Sequence, residues 1–262
     1  VNEVIRMSPK PPRTFQYHAC AHAFSAQFTR PFHHQIDVQA QSALPVIGGH
    51  GHARVENFQF REFISLKAGY SHVSGGHQAD DDSNNTLSTA VLEGLNMLDV
   101  LTADRVVSRL YSKHFAKSRE GNISYLGSKF ENLRIAGFPV HFKINCEVHD
   151  DIINFESAEK AFARSGEFRK IAEDPFETGD KLKPADVDGV FLCSIVKDLK
   201  TDCPGVKVQG HSLYVPGFGK VYLGELLVKH GEKTLTMLRF DLGSTTSGTG
   251  TGSGTKTNGQ PW

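Results

Sequence analysis

Histidine is the residue type that stands out for chemistry. The chain holds 13 of them in 262 residues. In Gly48-Gly49-His50-Gly51-His52 two lie two positions apart. On a β-strand, residues i and i+2 share a face, so His50 and His52 can both reach one divalent metal. His72 and His77 lie close together, and His33 and His34 are adjacent. A metal centre needs three or four converging ligands, and the sequence offers a pair. The alternative is two exposed polar positions on a half-solvated strand. Asp80-Asp81-Asp82-Ser83-Asn84-Asn85 has the oxygen-rich composition that calcium takes, but it lacks the Gly and the distal Glu of an EF-hand, so a solvated turn is expected. Asn84-Asn85-Thr86 and Asn122-Ile123-Ser124 match the glycosylation acceptor pattern. Nucleophile elbows, P-loops, G-x-G-x-x-G turns and H-E-x-x-H are absent. No catalytic residue and no cofactor is assigned, and the chain is not expected to be an enzyme.

Cys20, Cys146, Cys193 and Cys203 form no C-x-x-C pair. Cys193 and Cys203 are ten positions apart and could face each other across a hairpin as a disulfide. The alternative is four buried thiols packing as small hydrophobes.

These groups need a scaffold, and the composition describes one. Hydrophobic residues make up 39% and charged residues 22%, a balance that builds a globular core. Lys+Arg and Asp+Glu both number 29. No basic field is available for phosphates, so a nucleic-acid partner is not expected. A neutral surface also resists self-association less than a charged one. No apolar run approaches the roughly 20 residues that a transmembrane helix requires.

Period-two alternation dominates residues 15–28, 36–40, 55–60, 64–70, 130–144, 190–196, 206–215, 220–228 and 234–242, which read as strands. Residues 157–174 read as one short peripheral helix, with Ser157 as its cap. Residues 86–115 fit helices through Leu87, Val91 and Leu95, and fit strands through their Thr, Ser and Val content. The expected fold is all-β or mainly β, a β-sandwich or wrapped antiparallel sheet. Its expected parts are an N-terminal arm at 1–14, one β-rich domain at 15–243 with a polar insertion near 156–186, and a Gly/Ser/Thr-rich tail at 244–262. By composition that tail is flexible or a flat, exposed strand.

Four stretches in order resemble the choice-of-anchor P family of secreted proteins. They are Ala19-Cys20-Ala21-His22-Ala23-Phe24; residues 91–106, with their Thr102-Ala103-Asp104; residues 130–140; and residues 215–225, from Val215-Pro216-Gly217-Phe218 to Gly224-Glu225. The resemblance implies an extracellular or cell-surface, β-rich protein of no known activity, and it favours strands over residues 86–115. It brings no catalytic residues.

The function expected on these grounds is that of an extracellular structural or adhesive protein. It would associate into a homo-oligomer or polymer, through strand edges and terminal arms, and could meet a cell-surface or matrix partner. One alternative is a monomeric carbohydrate- or partner-binding β module. Another is a metal-dependent enzyme centred on His50 and His52.

Overall fold

The computed structural model describes residues 15–164, 172–173, 190–243 and 246–261. The long strands come first: β1 (Phe15–Arg30), β2 (His34–Gln39), β3 (Ser42–Ala43), β4 (Gly49–Phe60), β5 (Ile64–Gln78), β6 (Ser83–Met97) and β7 (Leu101–Phe115). Shorter ones follow: β8 (Asn122–Ser124), β9 (Lys129–Glu131), β10 (Arg134–Ile135) and β11 (Phe138–Ile144), then the helix α1 (Phe155–Ala163). The remainder is β12 (Ala172–Glu173), β13 (Val190–Ser194), β14 (Val196–Thr201), β15 (Lys207–Gln209), β16 (Ser212–Val215), β17 (Gly219–Lys229), β18 (Glu232–Leu242) and β19 (Ser247–Pro261).

The strands form two antiparallel sheets. The first runs β12-β13-β17-β18-β19-β1-β2, with β16 and β15 continuing from β17 and β3 beside β1. The second runs β14-β11-β10-β7-β6-β5-β4, with β8 and β9 on β7. β1, β19 and β18 stack on β5, β6 and β7. The shared core takes Phe24, Phe28 and Phe240 from the first sheet and Leu66, Leu92, Leu95 and Met97 from the second. This is the expected mainly-β sandwich. Among the described residues no helix is long and apolar enough to cross a membrane.

Residues 86–115 are the hairpin β6–β7, in register from Ser83 opposite Phe115 to Met97 opposite Leu101. The helical pattern in the sequence has a physical origin. Gly94 takes a left-handed φ of 61°, which shifts the inward phase from Leu92 to Leu95 and breaks the strict alternation. The helix is shorter than expected and starts earlier. Its cap is Asn154, whose side chain accepts from the Ser157 N–H at 2.9 Å, so Ser157 lies inside the first turn. Phe155, Ala158, Ala161 and Phe162 form the buried face, and the Phe155 and Phe162 rings meet Phe191 at 5.3 and 5.6 Å. Beyond Arg164 the expected helix gives way to the described pair Ala172–Glu173, which is strand β12. The arm at 1–14 and most of the insertion lie outside the described residues.

The largest departure is the C-terminal segment. It is neither a tail nor exposed: β19 lies in the middle of the first sheet, paired with β18 on one side and β1 on the other. Ser253, Thr255 and Thr257 are buried against the second sheet. The Ser253 hydroxyl accepts from the Ser108 N–H (2.9 Å) and donates to the Ala90 carbonyl (2.7 Å). Thr255 meets the Ser108 hydroxyl at 2.7 Å, Thr257 meets Thr86, and the Ser88 hydroxyl donates to the Lys256 carbonyl at 2.9 Å. Buried hydroxyls are tolerated between sheets when each finds a partner. The glycines of β19 are steric necessities. A Cβ on Gly250 would stand 2.1 Å from the Phe240 ring and 2.8 Å from the Ser25 carbonyl oxygen.

Gly250→Ala therefore overpacks the core. We expect it to cost about 3 kcal/mol or more, or to prevent folding. Gly243→Ala, where a Cβ meets nothing within 4 Å, is expected to stay within about 0.5 kcal/mol of the parent. Urea unfolding of the two variants checks this, and equal stabilities would refute the close packing at Gly250.

Candidate functional site

His50 and His52 share the exposed face of β4, the outermost strand of the second sheet. His52 stands in register with His72 on β5, also exposed, and His50 with Ser74. The expectation that the two histidines face the same way thus holds, and a third imidazole joins them from the neighbouring strand. Among the described residues no group of three or more His, Cys, Asp or Glu is placed to hold a metal. Further along β4, Arg54 pairs with Glu56 at 2.6 Å on the same exposed face.

The acidic run forms the β5–β6 turn, where Asp81 accepts from the Ser83 hydroxyl and pairs with Lys113. Of the two glycosylation triplets, Asn84 accepts from the Tyr17 hydroxyl at 2.7 Å and Asn122 from the Asn154 amide at 2.8 Å. Both asparagines are therefore engaged within strands. Of the two readings of Cys193 and Cys203, the structure has the buried thiols, and the two residues do not share a hairpin. The chain crosses between sheets at Ile195, which donates to the Gly224 carbonyl and accepts from the Asn145 N–H. Cys193 stays with the first sheet, opposite Leu226, while Cys203 follows β14 of the second.

Two charged clusters were not anticipated from the sequence. On the first sheet, Glu225 is buried and held bidentately by Arg239, with Nε to Oε2 and Nη2 to Oε1 both at 2.8 Å. The His211 Nε2 lies 3.4 Å from Oε1, and Arg239 also donates to Asp241 at 2.9 Å. The guanidinium stacks on the Tyr222 ring at 3.6 Å. Burial alone would raise the carboxyl, but the bonds from Arg239 and His211 overcome it and hold Glu225 at about 2. Beside the guanidinium opens a cleft of about 310 Å³, lined by Ser25, Gln27, Gln35, Thr249 and Thr251. At the end of the sandwich, Glu120 accepts from the buried Lys233 (3.1 Å), from the Phe155 N–H (3.0 Å) and from His230. Burial works to raise Glu120, and Lys233 and these bonds bring it below its usual value. Burial pushes the Lys233 ammonium down. His114 is buried nearby and, like His22, is held below the ordinary imidazole value by its burial. A single charged residue inside an apolar strand, as Glu225 is within Val221-Tyr222-Leu223-Gly224-Glu225-Leu226-Leu227-Val228, was the available sign.

These shifts fix the acid response. Glu225 is depressed in the fold, so its contribution is full above the unfolded value of about 4.5 and is lost as pH falls towards about 2. The neutral His114 and His22 contribute above about 6.5 and lose that contribution below it. pH-resolved urea unfolding should show both losses. Glu225→Gln should lack the lower one and be about 3 kcal/mol less stable at pH 7, because Arg239 loses its carboxylate. An unchanged acid profile in that variant would remove Glu225 as the cause.

No curated protein and no solved structure matches the chain significantly. A family model described as a domain of unknown function, DUF8256, matches residues 15–181 and 166–229. Those matches begin at the first residue of β1 and run to the last residue of β17, taking in the second sheet, the first sheet apart from β18 and β19, and the buried Glu225. On that coverage, the chain belongs to the DUF8256 family.

Proposed function

We propose that the chain is an extracellular structural or adhesive module that associates with copies of itself through the edge of β4. The observation that carries this reading is the length and openness of that edge. β4 spans 12 residues, pairs with β5 on one side, and among the described residues has no strand on the other. Such an edge offers unpaired N–H and C=O groups to another chain unless Lys, Pro or a covering segment protects it. β4 contains neither Lys nor Pro.

The strand is also self-complementary. Antiparallel pairing of two copies centred on Val55 sets Arg54 opposite Glu56 of the second copy, twice. The exposed Arg54–Glu56 pair within one chain is worth little, so exchanging it costs little. The new backbone ladder and the covered surface supply the association energy, and the zero net charge leaves no long-range repulsion to oppose it.

Size exclusion with light scattering tests the reading. The expected mass is twice that of the 28.8 kDa chain, because an antiparallel pairing of one edge with itself closes at two copies. Ala53 faces the interior side of β4, so Ala53→Lys places an inward-pointing charge on the edge and should return the monomer mass. Removal of residues 1–14 should leave the assembly intact. Loss of assembly on that truncation would assign it to the arm, and a monomeric parent chain would overturn the reading altogether.

A further inference from the structure

The outer face of the second sheet carries a cleft of about 390 Å³ whose lining includes Ser74, Gly76, Asn85, Leu87, Arg109 and Tyr111. Thr86 and Ser88 bond inward to β19, so their neighbours Asn85 and Leu87 point outward. Ser74, Leu87 and Tyr111 form one cross-strand row, and His72, Thr89 and Arg109 the next. The cleft owes its depth to missing side chains. A Cβ on Gly76 or Gly49 would meet nothing within 4 Å.

Its polar groups are held in place before any ligand arrives. The Tyr111 hydroxyl donates to Asn85 Oδ1 at 2.9 Å, and the Asn85 amide donates to Gln78 at 2.8 Å, which fixes ring and amide together. Arg109 passes over Gly127, where a Cβ would stand 3.1 Å from its Cδ. Among its cationic neighbours on this face, Arg54 has Glu56, Arg105 has Glu93 and Lys113 has Asp81. The exposed Lys67, like Arg109, has no carboxylate among the described residues.

We infer that this cleft binds an acidic saccharide, a sugar carrying carboxylate or sulfate groups. A guanidinium without a partner takes such a group in a bidentate hydrogen-bonded pair. The Tyr111 ring offers an apolar face for the C–H side of a pyranose and keeps its hydroxyl for the polar rim. Ser74 and Asn85 supply hydrogen bonds for ring hydroxyls, and the fixed Tyr111–Asn85–Gln78 chain lowers the cost of ordering on binding. Nucleic acid fits less well. One unpaired arginine on a chain of zero net charge cannot release the several counterions that duplex binding draws on. The inference is independent of the β4 edge, because every polar group it uses lies on β5, β6 and β7.

Calorimetric titration at low salt tests it with four probes: an oligogalacturonate, a sulfated heparin-type tetrasaccharide, the neutral cellotetraose, and a short DNA duplex. At least one acidic saccharide should bind, and cellotetraose at least about tenfold more weakly. Which acidic probe binds separates carboxylate from sulfate recognition. Arg109→Gln should weaken binding about tenfold or more. Gly76→Leu should do the same with all charges kept, by filling the open space. Arg61→Gln, on a guanidinium that stacks over Phe32 at 4.3 Å, should change nothing. Thermal melts establish that the variants are folded, and the monomeric Ala53→Lys chain should bind as the parent does. The inference is overturned if no acidic saccharide binds at millimolar concentration, if Arg109→Gln binds like the parent, or if the duplex binds as tightly as the sugars.

Discussion

The Ser253 hydroxyl stands between the Ser108 N–H and the Ala90 carbonyl, a facing pair of the β6–β7 ladder. A side chain of one sheet is thus inserted into the backbone bonding of the other, and the sheets must approach closely for it to reach. That approach dictates the composition around it. β1 turns Ala19, Ala21, Ala23 and Ala26 into the core, and Gly69 lies where a Cβ would come within 2.8 Å of the Ala23 Cβ. β19 carries Gly on both sides of Ser253, and hydroxyls at Thr255 and Thr257 that find partners across the gap. An apolar strand of ordinary volume in this place would push the sheets apart and leave Ser108 and Ala90 with unpaired backbone groups, a cost of about 1–3 kcal/mol each.

With the centre of the first sheet so thin, bulk and charge go to other places. One group of four rings, Phe28, Phe32, Phe60 and Phe63, packs in stacked and tilted pairs. The buried ions sit on the strands that follow β16. Glu225 belongs there only with Arg239, since a buried carboxylate without its counter-ion would take up a proton or unfold the site. Arg239 in turn lies over Tyr222 and donates to Asp241, so four side chains on adjacent strands are fixed as a unit.

Alternation exposed most of the β-architecture, because a strand with one face on a core must write its period into the sequence. The signal failed where backbone conformation changes the phase. Gly94 and Ser253 are left-handed residues within strands, and each swaps the inward set without any change in hydrophobic content. β19 failed for a second reason. Hydropathy treats Gly, Ser and Thr as surface residues, and nothing in a single strand says that its partners will supply hydroxyls. Among the functional groups, the shared face of His50 and His52 was legible because it depends only on spacing. His72 beside His52 was not, because it depends on the register between β4 and β5. Glu225, Arg239 and His211 meet through β17, β18 and the turn before β16, contacts between 14 residues or fewer in sequence that alternation alone does not specify.

The two flanks of the sandwich are unlike each other. On one, α1 packs against β13 and β17, and short strands extend the sheet. On the other, β2 is six residues long while β4 is twice that and, among the described residues, pairs with no strand besides β5. A sheet edge of this length is ordinarily guarded, and the guards present here are few: the Arg54–Glu56 pair and the left-handed Asn57. The charge pair guards poorly against a copy of itself, since an antiparallel partner presents the same two residues in reverse order. Asn57 interrupts the pairing with β5 for one residue, and the register is the same on both sides of it. β4 begins beside the Arg109 cleft, at Gly49, so a second copy on the edge would extend the face on which the cleft opens while leaving its polar groups on β5, β6 and β7 uncovered. Edge pairing and ligand binding on that face are therefore compatible, and the two-fold edge contact would give one assembly two binding faces.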